Sequence, residues 1–63
     1  MKYVIIRGKG NSEITLAEDN LKGQTIYGML KNGVFHVVSR EKFNNAINLS
    51  YLLGLEVYDY RKF

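Results

Sequence analysis

The 63-residue sequence carries nine basic and six acidic residues, a net charge of +3, 46% hydrophobic residues and no cysteine. This is the composition of one small globular domain, residues 1–63, rather than of a disordered segment; it excludes a disulfide framework or a cysteine-built metal site. A domain of this size buries only about 60% of the surface its unfolded chain exposes, so its stability must come from a well-formed core or from a partner subunit.

The first stretch, MKYVIIRGKG, has an apolar run too short for a secretory signal, which needs about 7–15 residues. Nowhere does the sequence approach the ~20 apolar residues of a membrane span. The expectation is a cytoplasmic protein without a membrane partner. Residues 2–7 are apolar and β-branched and end at Gly8 and Gly10, which predicts a first strand followed by a loop. RGKGNS, residues 7–12, has the look of a glycine-rich phosphate cradle. It lacks the third glycine of the dinucleotide fingerprint and the Lys-Ser/Thr of the P-loop, so a hairpin loop is the better reading.

Residues 13–23 give mixed signals. Ile14 and Leu16 alternate as in a strand, whereas Thr15 followed by Glu18 resembles a capping box and Gly23 a helix stop. The expectation is a short strand at 13–17, then a helical turn or an irregular loop to Gly23. Asn32-Gly33 lies between QTIYGMLK and VFHVVS, the preferred pair for a two-residue type I′ hairpin. That turn sets a register: Lys31 opposite Val34, Leu30 opposite Phe35, Met29 opposite His36, Gly28 opposite Val37, Tyr27 opposite Val38. One hairpin face then carries Ile26, Gly28, Leu30, Phe35 and Val37, and is expected to be core. The other carries Tyr27, Met29, Lys31, Val34, His36 and Val38, and is too apolar for an ordinary solvated face.

Ser39 suits a helix N-cap, with Glu41 in the first turn where the helix dipole favours an anion. An amphipathic helix is predicted over 40–53, with Phe43, Ala46, Ile47, Leu49, Ser50, Tyr51 and Leu53 on its apolar side. Leu52 lies on the other side with Glu41, Asn44, Asn45 and Asn48. Gly54 followed by Leu55 predicts a Schellman stop. LEVYDY alternates as a last strand, with Leu55 and Val57 inward and Tyr58 and Tyr60 outward. The predicted fold class is α+β: a small antiparallel, strongly curved sheet in the order β-β-β-β-α-β with one helix. An open sheet and a small SH3- or OB-like barrel both satisfy that order.

No catalytic constellation accompanies these elements. His36 is the only histidine, and the register places Met29, not a nucleophile or acid, opposite it. Glu56 and Asp59 lie three apart on a strand and point to opposite faces. Glu18-Asp19 is an ordinary solvated acidic pair. No cofactor or metal is implied, and a small metal-dependent nuclease using Glu13, Glu18, Asp19 or His36 is the weakest reading. Tyrosine is the richest material, at five residues. Tyr3 and Tyr51 are expected in the core, and Tyr27, Tyr58 and Tyr60 at exposed or interface positions.

The leading expectation is a non-enzymatic protein-binding module or a self-associating one, acting through Tyr27, Met29, Val34, His36, Val38, Tyr58 and Tyr60. A short Lys-, Asn-, Ile- and Tyr-rich chain has the style of phage or mobile-element accessory proteins, which suggests a regulator or inhibitor of a larger host protein, of the anti-defence kind. The alternative is a nucleic-acid-binding β-module, with Arg7, Lys9, Lys31, Arg61 and Lys62 contacting phosphates and Tyr27, Tyr58 and Tyr60 stacking on bases; Lys2, Arg7, Lys9, Arg61 and Lys62 form one basic patch if the first and last strands lie side by side.

Overall fold

The chain folds as an α+β domain of five antiparallel strands and one helix, seen in a computed structural model that describes residues 1–62. The elements are β1 (Lys2–Arg7), β2 (Glu13–Leu21), β3 (Gln24–Lys31), β4 (Val34–Val38), α1 (Arg40–Leu52) and β5 (Glu56–Asp59), with a closing 3₁₀ turn at Tyr60–Lys62. The strands lie in the order β4-β3-β2-β1-β5 and the sheet is open, so the barrel alternative is discarded. Among the described residues, no helix is long and apolar enough to cross a membrane.

The β3–β4 hairpin forms as its turn residues dictate. Asn32 and Gly33 have φ of 52° and 78°, the two positive values a type I′ turn requires, and all five cross-strand pairs match the predicted register. The reading of residues 18–22 as a helical turn or loop is corrected. β2 continues unbroken to Leu21, and a second hairpin turns at Lys22-Gly23, with φ of 51° and 80°. Glu18, Asp19 and Asn20 have low strand propensity, but β1 pairs with β2 only as far as Glu18. Beyond it the strand is an overhang paired to β3 alone, where polar residues remain hydrated and cost little.

Ser39 caps α1 with its side chain, Oγ accepting from the Lys42 N–H at 3.1 Å. At the other end Gly54 has φ of 73°. Its N–H donates to the Tyr51 carbonyl and the Leu55 N–H to the Ser50 carbonyl, at 3.1 and 3.0 Å. These are the paired bonds of a Schellman stop. The Ser39 cap supplies one of the partners that the first-turn N–H groups need. Ser39→Ala is therefore expected to lower stability by about 1 kcal/mol, measured as a lower urea midpoint at unchanged slope.

The helix lies against β3 and β5 and buries Phe43, Ile47 and Ser50, with Ala46 partly covered. Beneath it, β1 and β2 contribute Val4, Ile6 and Leu16, completing the core. This stripe is narrower than predicted. Leu49, Tyr51 and Leu53 are exposed, as is Leu52, because positions 43, 47 and 50 already span the width of sheet available to one helix. Ser50 is satisfied within the helix, its hydroxyl donating to the Ala46 carbonyl at 2.7 Å.

The assignment of hairpin faces is inverted. Tyr27, Met29 and Val38 pack against the core under the helix, whereas Ile26, Gly28, Leu30, Phe35 and Val37 lie on the side away from it, as their alternation with Tyr27, Met29 and Val38 demands. The choice is made by the whole sheet. Val4, Ile6 and Leu16 share a side with Met29 through the Val4–Leu16 and Leu16–Met29 pairs, and α1 must cross that side to join the parallel edge strands β4 and β5. The hand of such a crossover is strongly restricted, a constraint invisible in one hairpin.

Candidate interaction surface

Alternation along every strand assembles a second apolar surface on the side opposite α1. One cross-strand row runs Phe35–Leu30–Thr15–Ile5–Tyr58, through all five strands. The next runs Val37–Gly28–Ala17–Tyr3. Rows ~7 Å apart over strands spaced ~4.8 Å give a footprint on the order of 300–400 Å², exposed chiefly at Tyr3, Val37 and Tyr58. That is the size at which exposed apolar patches on small proteins are often functional.

The patch has an ordered surface of its own. The Phe35 ring lies directly over Gly28, so that a Cβ at position 28 would run into the ring edge. This is an aromatic side chain covering a strand glycine across a diagonal pair, and it leaves Gly28 buried although no helix covers it. Ala17 beside it is fully buried as well. Val37, by contrast, is 71% exposed, and the patch is most open along β4.

At the β1–β5 end of this face the aromatic and charged groups are tied together. The Arg7 guanidinium donates to Glu13 Oε2 at 3.0 Å and stands 5.5 Å from the centre of the Tyr58 ring. The Tyr58 hydroxyl donates to Glu56 Oε2 at 3.1 Å. The hydrogen bond to Glu13 raises the Arg7 pKa above its ordinary value, and the one to Glu56 raises that of the Tyr58 hydroxyl. Glu13, Glu56 and Arg7 thus form a polar rim beside an apolar centre, a common interface anatomy.

The residues expected to form the interface are therefore divided by the sheet. Tyr27, Met29 and Val38 belong to the core side; the Tyr27 ring sits 4.8 Å from that of Phe43 at 53°. Val34 and His36 are exposed at the β4 edge on the helix side, Tyr58 is on the open face, and Tyr60 is half-exposed in the 3₁₀ turn. Tyr3 and Tyr51, expected in the core, are instead exposed, Tyr3 because its register partner Ala17 lies on the open face. Sequence reasoning assigns Leu30, Phe35 and Val37 to the core and leaves Ile5 out of the site. Their signal is the parity of Ile5 against Val4 and Ile6, which separates the two faces once β1 is aligned with β2.

The single basic patch does not form. β5 does pair with β1, but Arg7 lies on the open face whereas Arg61 turns back onto the helix side, 5.3 Å from the centre of the Phe43 ring. Arg61 is also engaged with acids, reaching Asp59 at 2.8 Å and Glu18 at 3.7 Å. Lys31 is at the opposite edge of the sheet, beside the β3–β4 turn, and Lys9 is in the β1–β2 loop. Lys62, in the 3₁₀ turn, stays exposed. The acids are equally scattered: Glu18 and Asp19, read as a loop pair, alternate across β2 onto opposite faces. Among the described residues no three His, Cys, Asp or Glu side chains converge as metal ligands. No family model, curated protein or solved structure matches this chain.

Proposed function

We propose that this protein is a non-enzymatic protein-binding module whose contact surface is the open face of the sheet. One observation carries the reading. Phe35, Leu30, Ile5 and Tyr58, from four of the five strands and joined through Thr15 of β2, form one cross-strand row on the side that α1 leaves uncovered. Apolar area of this kind gains most from burial against a complementary protein surface, and the aromatic side chains with Arg7 beside them are the types that dominate interface energetics. In its narrower form the proposal is a small regulator or inhibitor seated on a larger protein.

Capture experiments with two substitutions on different faces test this. Leu30→Lys places a charge in the middle of the open face, and Leu52→Lys does the same on the outer side of α1, where Leu52 is 84% exposed. A protein retained by the wild-type chain should be lost at least tenfold with Leu30→Lys and kept with Leu52→Lys, both variants showing wild-type circular dichroism. Retention by Leu30→Lys and loss with Leu52→Lys would move the contact to the helix and sink the proposal. The nucleic-acid reading is weaker, since Arg7 and Arg61 are each paired with carboxylates. No shift of single- or double-stranded nucleic acid is expected even at ~50 mM salt, where phosphate contacts are strongest.

A further inference from the structure

The two edges of the sheet are built differently. β5 is four residues long, carries Glu56 and Asp59, and gives way at once to the 3₁₀ turn. Short length and charge are the means by which natural edges avoid pairing with another chain. β4 has neither charge nor proline nor bulge along Val34–Val38, and pairs without interruption with β3. Val34 and Val37 on it are 56% and 71% exposed. After Ser39 the chain leaves this edge, since α1 packs on β3 and β5.

The turn also settles which groups the edge presents. Lys31 and Val34 flank a two-residue loop and are a hydrogen-bonded pair; such pairs alternate along an antiparallel ladder. His36 and Val38 therefore face β3 with their backbone groups, while the N–H and C=O of Phe35 and Val37 point away from it. These four groups are spaced to bond a second antiparallel strand. β4 itself matches this edge in length and presents the same four groups in return. With His36 on a two-fold axis normal to the sheet, Phe35 exchanges both bonds with Val37 of the copy and Val37 with its Phe35. All five residues are then matched, with valine at both ends.

We infer that β4 pairs antiparallel with β4 of a second copy of this chain, giving a dimer with one continuous ten-stranded sheet. The pairing rests on the edge, not on the reading of the open face, but the two combine. A two-fold normal to the sheet keeps both open faces on one side, so the two surfaces join into one twice as wide. The exposed Val37 lies at the seam, beside Phe35 of the copy.

Sedimentation equilibrium and disulfide trapping test the pairing on the intact chain. The wild-type protein should show twice its 7.3 kDa mass and dissociate on dilution. Val37→Pro removes an outward N–H without touching the β3 ladder, and should remain a folded monomer. The chain has no cysteine of its own, so an introduced one reports register. His36→Cys meets itself across a non-hydrogen-bonded pair with Cα atoms about 4.5 Å apart, within the span of a disulfide, and should cross-link under mild oxidation. Val34→Cys faces Val38 of the copy and should not. A wild-type monomer at every concentration overturns the inference. So does a dimer in which Val34→Cys cross-links and His36→Cys does not, a result that decides the matter even if Val37→Pro folds poorly. Leu30→Lys should leave the dimer intact, so failure of the open-face proposal and failure of this one are read separately.

Discussion

Phe43→Ala is expected to leave most of the protein unfolded at neutral pH, seen as loss of the cooperative urea transition in far-UV circular dichroism. Phe43 is fully buried and joins three parts of the fold. It anchors the N-terminal half of α1 on Val4, Ile6 and Leu16, contacts the Tyr27 ring of β3, and supports the Arg61 guanidinium that follows β5. Truncation of a buried phenylalanine costs about 3–5 kcal/mol. A chain of 63 residues at ~0.05–0.15 kcal/mol per residue has only about 3–9 kcal/mol in total. The core has no reserve to offset the loss, because Ile47 is the only other apolar residue that α1 buries fully. Phe43→Leu should remain folded with a deficit of about 1.5 kcal/mol. A cooperative Phe43→Ala variant losing less than ~1 kcal/mol would show that the helix is dispensable to the sheet.

The contrast between the two hairpins shows what the sequence makes legible. Asn32-Gly33 announces its turn because asparagine and glycine are the residues that accept positive φ most readily, and the turn then fixes five pairs without further information. Lys22 adopts the same φ region without that advantage. Its hairpin is held by seven β2–β3 pairs, a tertiary cause that local propensity does not report. The helix and both its caps are legible for the same local reason. The side of the sheet that α1 covers is not. In β3 and β4 both faces are apolar, and Phe35 can stay on the uncovered face only because Gly28 offers a flat seat for its ring. The parity of Val4 and Ile6 against Ile5, transmitted through Leu16 to Met29, decides between the faces. Placing the open surface thus requires a register across three strands, and the five interface candidates that one hairpin offers all lie on the helix side of it.

Asp59→Asn is expected to weaken the fold at neutral pH and to flatten its loss of stability in acid. The Asp59 side chain is 6% exposed and accepts from Arg61 three times: Oδ1 from the backbone N–H at 3.0 Å and from Nε at 2.9 Å, and Oδ2 from Nη2 at 2.8 Å. Arg61 in turn reaches Glu18 on β2 and the Phe43 ring, so one carboxylate holds the end of β5 against β2 and α1. The side-chain hydrogen bond from Arg61 keeps the Asp59 pKa below its ordinary value, against the opposing effect of burial, and raises that of Arg61. As pH falls, the unfolded chain takes up this proton first, near ~3.9. The stabilisation is therefore complete above that pH and is lost as the pH drops through the lower folded value. Asparagine cannot accept the fork or carry the charge, and with Arg61 partly exposed to solvent the cost at pH 7 should be about 2 kcal/mol. Arg61→Lys should fall between the two, keeping the charge but losing the bidentate geometry and the flat contact with Phe43. Urea midpoints at pH 7 and near pH 3 separate these cases. Wild type and Asp59→Asn should converge in acid, and parallel curves for the two would mean that the Asp59–Arg61 fork does not hold β5 in place.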